Sequence, residues 1–212
     1  NNCSTGSTAL FLARQAVMSG VVECALAVGF EQMRPGALGL AFPDRPSPFE
    51  RFDAATEELV QAEGVPFALK YFGGAGLAHM KQYGTKLSTF AKIRAKASRH
   101  AANNPLALFR NVGTEEDALA SPAIWPGVRQ AAPIYPGVMT RLMACPPTCG
   151  AAAAVVCTPA FAKRHGIDAS VTIRAQAMTT DRLQTFEARD MREVVGYGMA
   201  KEAARQVYEA AD

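Results

Sequence analysis

The chain of 212 residues has a net charge of +3, with 49% hydrophobic and 19% charged residues. These proportions are typical of a globular protein with a sizeable core, and so weak a positive charge does not by itself indicate nucleic-acid binding. The most apolar runs, 21–30 and 150–157, are shorter than the roughly 18 to 20 residues of a membrane-spanning helix.

The start of the chain predicts a helix followed by a strand. Small polar residues open the stretch 3–19, alanines then recur at helical spacing, and Gly20 is a usual helix end signal. The apolar run 21–28 suits a short strand that is buried on both faces. The run 150–157 is a second candidate for a buried strand, although its alanines would equally suit a helix. Together these elements favour an α/β protein.

The middle of the chain predicts loops and helices rather than sheet. The stretch 34–50 is rich in proline and glycine and is predicted to be a loop. Helical patterns follow over 52–63, 74–83 and 85–99, and the proline after Asn104 ends the last of them. Six prolines make 111–149 a predicted irregular segment.

The last third of the chain predicts three further elements. Thr158 and Pro159 have the residue types that begin a short helix, as N-cap and first helical residue. The stretch 171–177 alternates apolar and polar residues as a strand does, and 201–211 has a helical pattern.

Cys3 is the candidate for covalent chemistry among five cysteines, whose spacings match no zinc motif. It precedes a predicted helix start, where the helix dipole and unpaired N–H groups favour a thiolate and can bind an oxyanion. Gly6 would let a substrate or another backbone approach closely. A buried structural cysteine remains the alternative reading of Cys3, and Cys24 and Cys157 are expected in the core.

A basic stretch and three histidines complete the candidate residues. Five cationic or titratable residues lie within nine positions and form either a solvated helix face or a patch for a phosphorylated ligand: Lys92, Arg94, Lys96, Arg99 and His100. No histidine pairs with a carboxylate at metal-binding spacing, so we predict no metal site.

Several motifs resemble those of thiolases, in particular the sterol-carrier-protein-X type. The segment 1–10, NNCSTGSTAL, resembles the thiolase nucleophile motif, and 27–33, AVGFEQM, resembles its Glu-x-Met segment. Further similarities lie at 71–76, 83–86, 90–93, 100–105, 145–154 and 198–205. The chain departs from the family at Cys149, which stands where thiolases usually have an aspartate.

The resemblance implies the α/β thiolase fold, a layered αβαβα structure of two βαβαβαββ halves with a loop domain inserted in the first. The implied divisions are 1–33 in the N-terminal half, 34–145 as loop domain, 146–165 as the end of that half, and 166–212 as the start of the C-terminal half. On this basis we expect a piece of a longer protein that lacks the start of the first half and most of the second. The activating histidines and the second cysteine are expected outside these residues.

The resemblance also implies an activity. It makes Cys3 the nucleophile of an acyltransferase that cleaves 3-oxoacyl-CoA in fatty acid β-oxidation. Coenzyme A would be a co-substrate, without a permanently bound cofactor, and Tyr71, Phe72 and His100 would bind substrate. The family further implies a homodimer in the mitochondrial or peroxisomal matrix. Two alternatives stay open: a related condensing or steroid side-chain-cleaving enzyme, and a non-catalytic lipid-CoA-binding protein.

Overall fold

The computed structural model describes residues 2–35, 42–61, 65–111, 113–121, 139–146 and 148–212. Within these ranges the elements are, in chain order, α1 (Thr5–Met18), β1 (Cys24–Glu31), α2 (Glu50–Leu59), α3 (Phe67–Tyr83), α4 (Leu87–Ala101), α5 (Glu115–Ala120), β2 (Gly150–Cys157), α6 (Pro159–Arg164), α7 (Gln184–Glu187), α8 (Met191–Val194) and α9 (Tyr197–Ala211). This mixture of helices and strands is of the α/β class. Among the described helices, none has the length and apolarity needed to cross a membrane.

The chain divides into two units. The first comprises Asn1–Arg34, Pro147–Thr180 and Met199–Asp212, and the second comprises Pro35–Pro146 and Asp181–Gly198. The assignment of chain segments to thiolase halves and a loop domain remains a prediction.

The first unit is built on two antiparallel strands. β1 pairs with β2 along its whole length, from Cys24 opposite Cys157 to Glu31 opposite Gly150. This pairing shows that 150–157 forms a strand and not a helix. Helix α1 packs on the sheet, where Ala27 of β1 is buried and Gly29 approaches Gly6 of α1.

The other face of this sheet is exposed, so the expectation of strands buried on both faces is wrong for this structure. Successive side chains of a strand point to opposite faces. Those of β1 that point away from α1 lie open, with Leu26 63% and Phe30 80% exposed. On β2, Val155 opposite Leu26 is 63% exposed as well. β1 also begins three residues later than predicted, because 19–23 form the turn that follows α1.

The rest of the first unit confirms one local prediction and corrects another. Thr158 caps α6 by accepting a hydrogen bond from the Phe161 N–H at 3.1 Å, and Pro159 is the first helical residue. The stretch 171–177 is not a strand, because no described strand pairs with it. Instead the Arg14 guanidinium donates to the Arg174 carbonyl at 3.2 Å, and the Arg174 side chain donates to the Ala211 carbonyl at 2.8 Å.

The second unit has a helical core formed by α2, α3 and α8. Four buried residues make its centre: Val60, Val65, Met191 and Val194. Helix α3 begins at Phe67 rather than at the predicted 74, and it runs through Gly73 and Gly74. These glycines do not end the helix. A β carbon on Gly74 would lie 2.7 Å from Val60 Cγ2 and 3.0 Å from Met191 Cγ, so the missing side chain makes room for the core.

Helix α4 forms as predicted, with Ala91, Ala95 and Ser98 buried along one face, and it ends at Ala101 before the Asn-Asn-Pro segment. The stretch predicted to be irregular contains α5. Thr114 and Asp117 form a capping box at its start, each side chain accepting from the other residue's backbone N–H. Residues 122–138 of the same stretch lie outside the described ranges.

Candidate functional site

Cys3 lies in a single 3₁₀ turn, Asn2–Ser4, that leads directly into the 14-residue helix α1. Asn2 has a φ of +52°, a left-handed conformation that asparagine adopts more readily than most residues. The Thr5 hydroxyl donates to the Asn2 carbonyl at 2.8 Å and braces this turn. Cys3 is exposed, so in this structure it is not a buried structural cysteine.

A glycine contact fixes the position of this turn. A β carbon on Gly29 of β1 would lie 3.1 Å from the Cα atom of Gly6 in the first turn of α1. The sequence left open whether Gly6 allows the approach of a substrate or of another backbone. The structure shows the approach of the main chain of β1. The start of α1, and with it Cys3, is therefore held against the main chain of β1.

The start of α1 is the N-terminus of a 14-residue helix. The first N–H groups of a helix lack intrahelical acceptors, and the helix dipole makes this end positive. No acidic residue lies in the first turn of α1 that would offset this positive end. Nucleophiles and oxyanion sites are often found at such helix starts, which makes Cys3 a candidate nucleophile.

The other cysteines of the first unit lie in the two-stranded sheet or directly beside it. Cys24 and Cys157 are half-buried and face each other across the two strands. Cys149 is exposed, and its sulfur accepts a hydrogen bond from the Met33 N–H at 3.3 Å. This contact links the end of β1 to the start of β2.

In the second unit, the adjacent residues Tyr71 and Phe72 point in different directions from α3. Tyr71 packs against the core of α2, α3 and α8, and its hydroxyl donates to the Asp53 carboxylate. Partial burial and this bond to Asp53 raise the pKa of Tyr71 well above its usual range. Phe72 is 61% exposed and lines a cavity that Tyr71 does not line.

This cavity has a volume of about 470 Å³ and is mainly apolar. Its walls come from α3, from one face of α4, from Phe109 and from the segment 139–146. Arg94 is the charged residue of the lining, and Cys145 lies on the wall. The sequence held one signal for it, because Phe90, Ile93 and Ala97 lie on one side of α4 at helical spacing.

The basic stretch of α4 divides between two surfaces. Lys92, Lys96 and Arg99 line a groove of about 610 Å³, together with Glu115 and Glu116 of α5. Arg94 faces the apolar cavity instead, with its guanidinium carbon 6.0 Å from the centre of the Phe109 ring.

Two of the three histidines contact residues that are close by in the sequence. His100 is exposed in the last turn of α4 and lines neither cavity. The His79 Nδ1 atom lies 2.9 Å from the Thr85 hydroxyl, and the His165 ring centre is 4.3 Å from that of Phe161. Within the described ranges, no group of three His, Cys, Asp or Glu side chains could hold a metal ion.

The chain is similar to curated proteins over nearly its whole length. It is 42% identical over 210 residues to sterol carrier protein 2 of Rattus norvegicus, covering 99% of this chain and 36% of that protein. It is 29% identical over 210 residues to the acetyl-CoA acetyltransferase of Methanothermobacter thermautotrophicus, covering 99% and 48%. It is 27% identical over 208 residues to the benzoylsuccinyl-CoA thiolase subunit BbsB of Thauera aromatica, covering 98% and 47%.

No protein-family model matches the chain. The chain spans about a third of the length of the sterol carrier proteins that it matches, and about half of the two bacterial and archaeal relatives. Because proteins of both names align with essentially every residue of the chain, the chain belongs to the thiolase superfamily, in its sterol-carrier-protein-X-like type.

Proposed function

We propose that this chain carries the nucleophile of a thiolase that cleaves 3-oxoacyl-CoA. The Cys3 thiolate attacks the 3-oxo carbon and forms a tetrahedral oxyanion. When the carbonyl re-forms, the C2–C3 bond breaks, its electron pair stays on C2, and protonation of C2 gives acetyl-CoA. The shortened acyl group remains on the Cys3 sulfur until the thiolate of a second coenzyme A takes it and releases Cys3.

The observation that supports this proposal best is the placement of Cys3. An exposed thiol lies at the positive end of a 14-residue helix whose first turn contacts the main chain of β1. A nucleophile and an oxyanion site both benefit from rigid placement, because the donors then need no reorganisation during the reaction.

Substitution of Cys3 in the full-length protein tests the mechanism. Cys3→Ala and Cys3→Ser should each lower kcat/KM for 3-oxoacyl-CoA cleavage by about 10³-fold or more, since a covalent nucleophile is lost. The matched control is Cys149→Ser, another exposed cysteine of the same unit, which should keep most of the activity. Undiminished turnover in both Cys3 variants would contradict the proposed reaction.

Coenzyme A is the proposed co-substrate, and Lys92, Lys96 and Arg99 are the candidates for binding its phosphates. They line one groove on α4, and cationic side chains are the usual partners of phosphate oxygens. Glu115 and Glu116 in the same groove reduce its net positive charge, so we expect a moderate effect from each cation.

Charge removal in this groove checks the assignment. Lys96→Gln and Arg99→Gln should each raise the KM for coenzyme A by about 3- to 10-fold with little change in kcat, because uniform binding is lost. Lys81→Gln, which removes a positive charge from the last turn of α3 outside the groove, is the control. An unchanged KM in both groove variants would place the phosphates elsewhere.

A second candidate is a non-catalytic lipid-CoA-binding protein of the same family. It is favoured by Cys149, which stands where thiolases usually have an aspartate, and whose thiol accepts a weak hydrogen bond from the Met33 N–H and donates another to the Met33 carbonyl. Coenzyme A binding in calorimetry, without turnover and without an acyl group on Cys3, would support this candidate over the enzyme.

The proposal for the full-length protein includes a homodimer and a role in fatty acid β-oxidation. Sedimentation of the full-length protein tests the first, and comparison of cleavage rates across 3-oxoacyl chain lengths tests the second.

A further inference from the structure

The apolar cavity of the second unit has one charged residue in its described lining, Arg94. Arg94 is half-buried in the lining, among aromatic and aliphatic side chains. Its contact in the structure is the face of Phe109 at 6.0 Å, and within the described ranges no carboxylate pairs with it. The other cations of α4 that line a groove share it with glutamates, so Arg94 differs from them in this respect.

The surroundings of Arg94 determine which ligand the cavity would accept. A charge that is partly removed from water is costly unless an opposite charge satisfies it. A guanidinium forms two parallel hydrogen bonds with a planar carboxylate, which makes a carboxylate a well-matched partner. The apolar walls around it favour a ligand whose remaining surface is hydrocarbon.

We propose that this cavity binds a free medium-chain carboxylic acid, with the carboxylate paired to Arg94 and the hydrocarbon tail against the apolar walls. The site is distinct in chemistry from the thioester reaction, because the ligand needs neither coenzyme A nor a nucleophile. It gives the second unit a binding function of its own, which does not depend on the proposed function of Cys3.

The size of the cavity sets the length of the acid. At about 30 Å³ per non-hydrogen atom, the volume of a water molecule in the liquid, a cavity of about 470 Å³ holds about sixteen such atoms. Dodecanoate, with about fourteen, matches this volume, and the cavity lies in the usual size range of small-molecule sites.

Calorimetry of the full-length protein with dodecanoate and dodecanol tests the charge pairing. We expect dodecanoate to bind with one-to-one stoichiometry and at least about 10-fold more tightly than dodecanol. Arg94→Gln should remove this preference while leaving dodecanol binding unchanged. Arg110→Gln, which alters an arginine next to Phe109 but outside the lining, should bind dodecanoate as the wild type does. Equal affinity for the acid and the alcohol, or full affinity in Arg94→Gln, would overturn the proposal.

Two further measurements locate the ligand and separate this site from the proposed catalysis. Dodecanoate should slow alkylation of Cys145, which lies on the cavity wall, but not of Cys149. Ala97→Phe, which fills the cavity from the surface of α4, should weaken dodecanoate and dodecanol alike. Cys3→Ala should bind dodecanoate with wild-type affinity. Loss of binding in Cys3→Ala, or unchanged alkylation of Cys145, would show that the acid binds elsewhere.

Discussion

Each unit of the molecule contains a close contact that a glycine permits, but the atoms opposite the glycine differ. In the first unit, a β carbon on Gly29 would meet the main chain of Gly6 at 3.1 Å. In the second, a β carbon on Gly74 would meet the side chains of Val60 and Met191 at 2.7 and 3.0 Å. A second substitution can shorten a side chain that clashes, but it cannot remove a main-chain atom. The first unit therefore holds its candidate nucleophile through backbone contact, whereas the second has a core that can be repacked.

Among the substitutions that test this comparison, Gly29→Val is expected to have the largest effect on stability and turnover. The added side chain would push α1 away from β1, and overpacking of this kind costs about 1–3 kcal/mol. We expect a loss of about 2–3 kcal/mol in the stability of the first unit, measured as faster hydrogen exchange of β1 amides, together with lower turnover because Cys3 moves.

The control for this change is Val28→Ala, on the exposed face of the same strand. It should alter amide exchange and turnover much less than Gly29→Val does. If Gly29→Val leaves both quantities unchanged, the contact with Gly6 does not position Cys3.

A smaller effect on stability, which a second substitution can relieve, is expected from Gly74→Ala. Alanine is favoured over glycine within a helix by about 1 kcal/mol, which offsets part of the overpacking cost. We expect a net loss of about 1 kcal/mol in urea unfolding. Val60→Ala removes the methyl group that lies closest to the new β carbon, so the double variant should be more stable than the sum of the single effects predicts. If the two changes in the free energy of unfolding are strictly additive, the Val60 side chain does not oppose an alanine at position 74.

The smallest effect on stability is expected from removing the charge of one ion pair in each unit. Asp190 caps α8 and pairs with Arg192 in the second unit, while Glu23 pairs with Arg164 in the first, where both side chains are more than half exposed. The bond to Arg192 lowers the pKa of Asp190, and the bond to Arg164 lowers that of Glu23. Each pair therefore contributes stability at neutral pH that is lost as the pH falls through the usual carboxyl range to the lowered pKa.

Asp190→Asn keeps a good N-cap residue and removes the charge, so it should cost under about 1 kcal/mol at pH 7. The difference from the wild type should vanish in acid unfolding experiments near the lowered pKa. Glu23→Gln should show the same direction with a smaller amplitude, because solvent screens that pair. If Glu23→Gln lowers the free energy of unfolding at pH 7 more than Asp190→Asn does, the more exposed ion pair is the stronger one, contrary to this account.

Local signals in the sequence were sufficient for several elements. The run of small residues with Gly20 predicted α1, Thr158 with Pro159 predicted the start of α6, and the proline after Asn104 predicted the end of α4. The capping box at Thr114 and Asp117 was also readable, but the surrounding prolines hid α5. Each of these signals acts within a few residues and does not depend on the rest of the fold.

Packing, by contrast, could not be predicted from local patterns. The glycine pair at 73–74 looks like a helix break, and only the positions of Val60 and Met191 explain why the helix continues. The stretch 171–177 has the pattern of a strand, but a strand also needs a neighbour to pair with. Cys3 could be named as a candidate because its motif is contiguous, and its role remains a prediction. The apolar cavity could not be predicted, because its walls come from separate parts of the second unit.

The most direct test of the proposed chemistry is the mass of the peptide that contains Cys3. The full-length protein would be incubated briefly with a 3-oxoacyl-CoA in the absence of free coenzyme A, quenched in acid and digested. The proposed reaction predicts a shortened acyl group on Cys3, which disappears when coenzyme A is added before the quench. Turnover with Cys3 unmodified, or an acyl group on Cys145 or Cys149 instead, would contradict it.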